Sequence, residues 1–83
     1  MANSGGNVVA LVETLAKALV EKPDEVFVEP FEEHGQTVIE LEVAGSDVGR
    51  VIGRQGRMAR SLRTILNAAA LRTRKRYQLE IVE

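Results

Sequence analysis

Cysteine is absent from the 83 residues. That excludes a disulfide framework, thiolate chemistry and zinc sites built on cysteine pairs. Histidine occurs once, as His34, beside two glutamates and a glycine. A side-chain nucleophile needs a base placed against it, and a lone histidine in a turn among glutamates is a poor one. Glu32 and Glu33 form the nearest pair of carboxylates, at the end of an expected strand with no pocket. No catalysis, cofactor or metal is therefore expected. No run approaches the 18 uninterrupted apolar residues that span a bilayer. The opening "MANSGGNVVALVETL" lacks the basic region and apolar stretch of a signal peptide. The expectation is a soluble, cytoplasmic protein of one small domain, with residues 1–6 a disordered lead and 7–83 the folded unit.

Excess charge of one sign is also lacking, since the net charge is −1. Its distribution is uneven. Residues 1–45 hold two basic and nine acidic side chains; residues 46–83 hold nine basic and three acidic. Eight of those nine cations are arginines. A guanidinium offers a planar fork of donors that matches phosphate and stacks on flat rings. A domain this short buries a modest core, so a partner subunit is a plausible source of further stability.

Apolar spacing gives the elements. Val8, Leu11, Val12, Leu15 and Leu19 recur at helical intervals behind a possible cap at Asn7, and Pro23 ends the pattern. "DEVFVEPFEE" and "QTVIELEVAG" read as strands joined by a turn at His34-Gly35. Pro30 makes the first an edge or bulged strand. In the second, Ile39, Leu41 and Val43 face one way, Val38, Glu40 and Glu42 the other. Ser46 is placed to cap a short helix carrying Val48, Val51 and Ile52 on one face, stopped by Gly53. After Gly56 a longer helix runs with Met58, Leu62, Ile65, Leu66 and Ala69 inward, ending in the cations of "RTRK". "RYQLEIVE" closes the chain as a strand with Tyr77, Leu79 and Ile81 inward. The order is α-β-β-α-α-β, an α+β fold with three helices on one face of a three-stranded sheet and an acidic face opposite.

The stretch "GRVIGRQGRMAR", residues 49–60, holds three glycines and four arginines. Gly53-Arg54-Gln55-Gly56 falls between two helices. Two glycines permit a tight turn with positive φ at either end and let a ligand's backbone come close. Gly56 precedes a helix N-terminus, where free N–H groups and the dipole favour an anion. With Arg50, Arg54, Arg57 and Arg60 around it, the loop suits a phosphate backbone, and Arg54 and Gln55 are expected to face solvent. A Walker loop fails because Arg54 stands where its second glycine belongs, and the dinucleotide fingerprint fails at Val51.

"VIGRQG" at 51–56 resembles the V-I-G-x-x-G signature of KH domains, which clamp about four nucleotides of single-stranded backbone. The element order matches the bacterial, type II version. "GRVIGRQGRMARSLRTILNAAA" followed by "KRYQLEIVE" resembles the small bacterial single-KH proteins of the KhpA family, over nearly the whole chain from about residue 7. The resemblance implies RNA binding, as a post-transcriptional regulator or RNA chaperone. It gives Gly53, Arg54, Gln55 and Gly56 the clamp role. Val48, Val51 and Ile52 would supply the apolar side of a base groove, although Val51 and Ile52 fit a plain core as well. It also implies a homodimer and pairing with a larger protein that joins a KH domain to a second nucleic-acid-binding domain.

Only Phe27, Phe31 and Tyr77 are aromatic. Modules that stack bases on sheet aromatics are thereby disfavoured, the more so because an acidic sheet face repels phosphate. Tyr77 reads as core. The rival function is a protein-interaction module, with "NAAALRT" on the long helix permitting close helix approach. Packing of Ala68, Ala69 and Ala70 on the sheet is the alternative account of those small residues.

Overall fold

A computed structural model describes residues 4–53 and 56–82. The order is α1 (Ser4–Leu19), β1 (Phe27–Glu33), β2 (Gln36–Glu42), α2 (Gly45–Ile52), α3 (Arg57–Thr73) and β3 (Tyr77–Val82), with a short 3-10 turn at Pro23–Glu25. This is the expected α-β-β-α-α-β sequence.

The sheet order is β1-β2-β3. β1 and β2 are antiparallel, and Phe27 to Glu33 pair one-to-one with Glu42 to Gln36. Pro30 thus sits on an edge strand without a bulge. The hairpin turns on His34 at φ 53° and Gly35 at φ 80°. Positive φ at both central residues is the geometry whose twist suits a two-residue hairpin. β3 runs parallel to β2, an arrangement that needs a long crossover. α2 and α3 provide it.

Register sorts the sheet into two faces. Ile39 and Leu41 are fully buried on the helix side, with Leu79 beside them and Val28, Tyr77 and Ile81 packed at the margin. Helices contribute Val8, Val12, Ala16, Val51, Leu62 and Leu66 to the same core.

Several local expectations shift. α1 begins at Ser4, so Asn7 lies inside it rather than capping it and residues 4–6 of the expected lead are helical; residues 1–3 lie outside the described ones. The core side of α1 is Val8, Val12 and Ala16, whereas Leu11 and Leu19 are 42% and 48% exposed. Ala16 is fully buried on that side. α1 stops at Leu19, well before Pro23. The cause is tertiary: the N–H groups of Glu21 and Lys22 donate to the Asp47 carboxylate at 3.1 and 3.0 Å, not back along the helix. α2 starts two residues early, with Ala44 at the cap and Ser46 inside the first turn. In α3, Ala59 is buried and Met58 only half-buried. Val38, expected on the outer face, is 4% exposed although its register neighbours there are Phe31 and Gln78.

Candidate nucleic-acid interface

α2 and α3 meet at residues 53–56, and the two glycines there serve different needs. Gly53 has φ −79° and ψ −173°, which any residue adopts. What requires glycine is proximity: a Cβ would run into the carbonyl oxygen of Gly49. That oxygen also accepts the Gly53 N–H at 2.6 Å, closing the last turn of α2. Gly56 has open space around it but takes φ 66°, the left-handed region. Its N–H donates to the Gly53 carbonyl at 2.8 Å, tying the loop's two ends together. The expectation of positive φ at either end therefore holds at Gly56 and not at Gly53. Arg54 and Gln55, and their expected exposure, lie outside the described residues.

Gly56 is also the N-cap of α3, and no side chain caps that end. The first turn of α3 contains no acidic residue. Helix N-termini expose N–H groups with a partial positive charge. No acidic side chain of that first turn occupies them, and Arg57 and Arg60 stand exposed there. Such an end is suited to an incoming anion.

The remaining site residues separate. Val51 is fully buried and belongs to the core, leaving no surface for a base. Its neighbour Ile52 is 45% exposed at the end of α2. Val48 is half-buried. Arg50 is exposed but engaged: its Nη2 lies 3.0 Å from Glu21 Oε2 and its Nε 3.5 Å from Asp47 Oδ1. It holds α2 to the end of α1 as well as adding positive charge.

Asp47 is the residue that sequence reasoning missed. It is 1% exposed, yet it is charged and partnered. The Glu21 N–H, then that of Lys22, then Arg50 hold its carboxyl below the ordinary value of 3.8, against an opposing push from burial. By accepting from the chain after α1 it fixes α2, and with α2 the entrance to the loop. One signal was available: Asp47 is the sole acid between residues 46 and 79.

Comparison with known proteins agrees with this geometry. The family model described as KhpA/KhpB, KH domain, matches residues 9–81. The chain belongs to the KhpA/KhpB KH-domain family. It is 49% identical over 78 residues to the RNA-binding protein KhpA of Borreliella burgdorferi, covering 94% of this chain and 95% of that protein. It is 51% identical over 72 residues to that of Caldanaerobacter subterraneus, covering 87% and 96%. The Aquifex aeolicus protein of the same name is 49% identical over 73 residues, covering 88% and 92%. No solved structure matches. As a KhpA/KhpB-family KH domain, the chain carries the family's fold over nearly its full length, with the glycine loop inside the matched region.

Proposed function

We propose that this protein binds single-stranded RNA through the loop at residues 53–56, acting in the cytoplasm and without catalysis. The supporting observation is the uncapped N-terminus of α3, reached through a loop that is bare at Gly53 and Gly56 and flanked by arginines. Relatives of nearly the same length bear the name RNA-binding protein. In this reading the strand's backbone lies along Gly53, Arg54, Gln55 and Gly56. Arg57 and Arg60 take phosphates, Arg50 adds charge while paired, and Ile52 offers an apolar shoulder to a base. Post-transcriptional regulation or RNA chaperoning are the roles such a clamp suits.

Self-association is the second part of the reading. A groove of about 470 Å³ lies between α1 and α3, lined by Val8, Leu11, Ile65, Ala68, Ala69, Arg72 and Thr73. Ala68 is exposed and Ala70 half-buried, while Ala69 packs against the core. Leu71 is 85% exposed nearby. A second copy, or the KH domain of a larger family member, laid along α3 would cover this apolar surface. Two clamps on one strand would raise apparent affinity without new contacts.

Charge reversal at the loop separates the two parts. The double variant Arg54→Asp, Gln55→Asp is expected to lose binding of a fluorescent single-stranded RNA 12-mer, read by anisotropy, and to keep its melting temperature and its sedimentation behaviour. Undiminished RNA binding by a folded double variant would reject the clamp.

A further inference from the structure

Among the described residues, no element packs on the face of the sheet opposite the helices. Strand register places Phe27, Glu29, Phe31 and Glu33 on that face of β1. They stand opposite Glu42, Glu40, Val38 and Gln36 of β2. Gln78, Glu80 and Val82 follow on β3. Glu29, Glu40 and Glu80 thus form one continuous row across all three strands. Directly opposed side chains on neighbouring strands are about 5 Å apart at Cβ, and like charges in that position destabilise a sheet. Among the described residues the ion pairs fall on Glu13, Glu21 and Asp47, and none on this row.

Aromatic surface flanks the carboxylates. Phe27 is 57% and Phe31 46% exposed. Phe27, Glu29, Glu40 and Glu42 line a shallow depression of about 330 Å³. Large apolar side chains exposed together on a small domain mark an interaction surface. Along β1 the outward order is apolar, acid, apolar.

We propose that this open sheet face is a docking surface for a lysine- or arginine-rich protein segment that carries apolar side chains on either side of its cations. Charge complementarity selects that occupant. Bases laid over the Glu29–Glu40–Glu80 row relieve its self-repulsion, while apolar neighbours cover Phe27 and Phe31. Nucleic acid is repelled by the same carboxylates. A second copy could supply cations from the start of α3 or from Arg74, Lys75 and Arg76 beyond its end. Either contact joins two different surfaces and does not close on itself. The proposal goes beyond RNA binding, and its failure would leave that reading untouched.

The test uses the full chain and two synthetic peptides of equal charge, (Leu-Lys)5 and (Ser-Lys)5, titrated by NMR with every backbone amide followed. The expected result is amide shifts confined to β1, β2 and β3, with (Leu-Lys)5 bound about tenfold more tightly than (Ser-Lys)5, a difference of about 1.4 kcal/mol. That preference should vanish in Phe27→Ser, and all binding should vanish in Glu29→Lys, Glu40→Lys. The double lysine variant should stay folded, with no loss of RNA affinity and no fall in melting temperature. Equal binding of the two peptides would reduce the face to a generic acidic surface and overturn the proposal. So would shifts outside the sheet, or peptide binding that survives the double lysine variant. Concentration-dependent chain growth that Glu40→Lys abolishes would give the face to a second copy and overturn it equally.

Discussion

Alanine at the two loop glycines should not cost the same, and the ranking runs against the usual expectation that the positive-φ glycine is the sensitive one. At Gly56, φ is 66° and nothing lies within 4 Å of a new Cβ. The cost is the left-handed backbone alone, about 1–2 kcal/mol. A stiffer unfolded chain returns about 0.4–1 kcal/mol of it. The net loss is about 1 kcal/mol. At Gly53 the backbone conformation suits any residue, but the Cβ meets the Gly49 carbonyl oxygen, a main-chain atom that cannot swing aside. The last turn of α2 must open. That forfeits the 2.6 Å bond from Gly53 N–H to Gly49, about 1 kcal/mol net, and adds about 1–3 kcal/mol of overpacking. The same unfolded-chain return of about 0.4–1 kcal/mol applies, so Gly53→Ala should lose about 1–3.5 kcal/mol, centred near 2. In a domain this size each kcal/mol moves Tm by about 4–8 °C. Circular dichroism melts should therefore place Gly53→Ala about 8–16 °C below wild type, and Gly56→Ala about half as far. Urea titrations at 10 °C keep the ranking measurable if Gly53→Ala is largely unfolded when warm. A Gly53→Ala protein that melts at or above Gly56→Ala would refute the close-approach argument.

Other outcomes follow from the same geometry. Asp47→Asn should melt lower than wild type at pH 7. Because the folded-state carboxyl is depressed, its stabilisation is full above the unfolded value and is lost as pH falls through the folded one. The gap between the two proteins should therefore close in acid, and a gap constant down to pH 2 would contradict the assignment. Leu62→Ala, at a side chain 1% exposed, should cost about 2–5 kcal/mol in urea unfolding without altering RNA affinity measured on the folded fraction. Ala68→Glu, at an exposed position lining the α1–α3 groove, should weaken self-association in sedimentation and lower Tm only at concentrations where the wild type associates. If two to four arginines neutralise phosphates, RNA affinity should be micromolar or weaker. Its log–log salt slope should be roughly −1.4 to −2.8, at about −0.7 per contact.

Much of the fold could be read from the chain because its signals are local. The His34-Gly35 hairpin, the alternation through Ile39, Leu41 and Leu79, and the cations closing α3 each lie within a few residues of what they specify. The glycine loop was legible for the same reason. What escaped depends on distant neighbours. α1 ends at Leu19 because Asp47, far along the chain, takes the N–H groups that follow. Ala16 is fully buried and Leu19 48% exposed, a division that helical spacing alone does not make. Spacing alone could not divide Val51 from Ile52. Only packing shows the first to be fully buried and the second 45% exposed. The charge asymmetry of the two halves was plain, but its arrangement as a three-strand glutamate row requires the register.

The central claim is that RNA lies against the α2–α3 loop and the start of α3. Titration of the full chain with a single-stranded RNA 12-mer, followed amide by amide in NMR spectra, tests it most directly. The account predicts the largest shifts at Ile52, Gly53, Gly56 and Arg57, with the glutamate row of the sheet unmoved. Shifts centred on Glu29, Glu40 and Glu80, or on α1, with the loop amides unchanged, would contradict it.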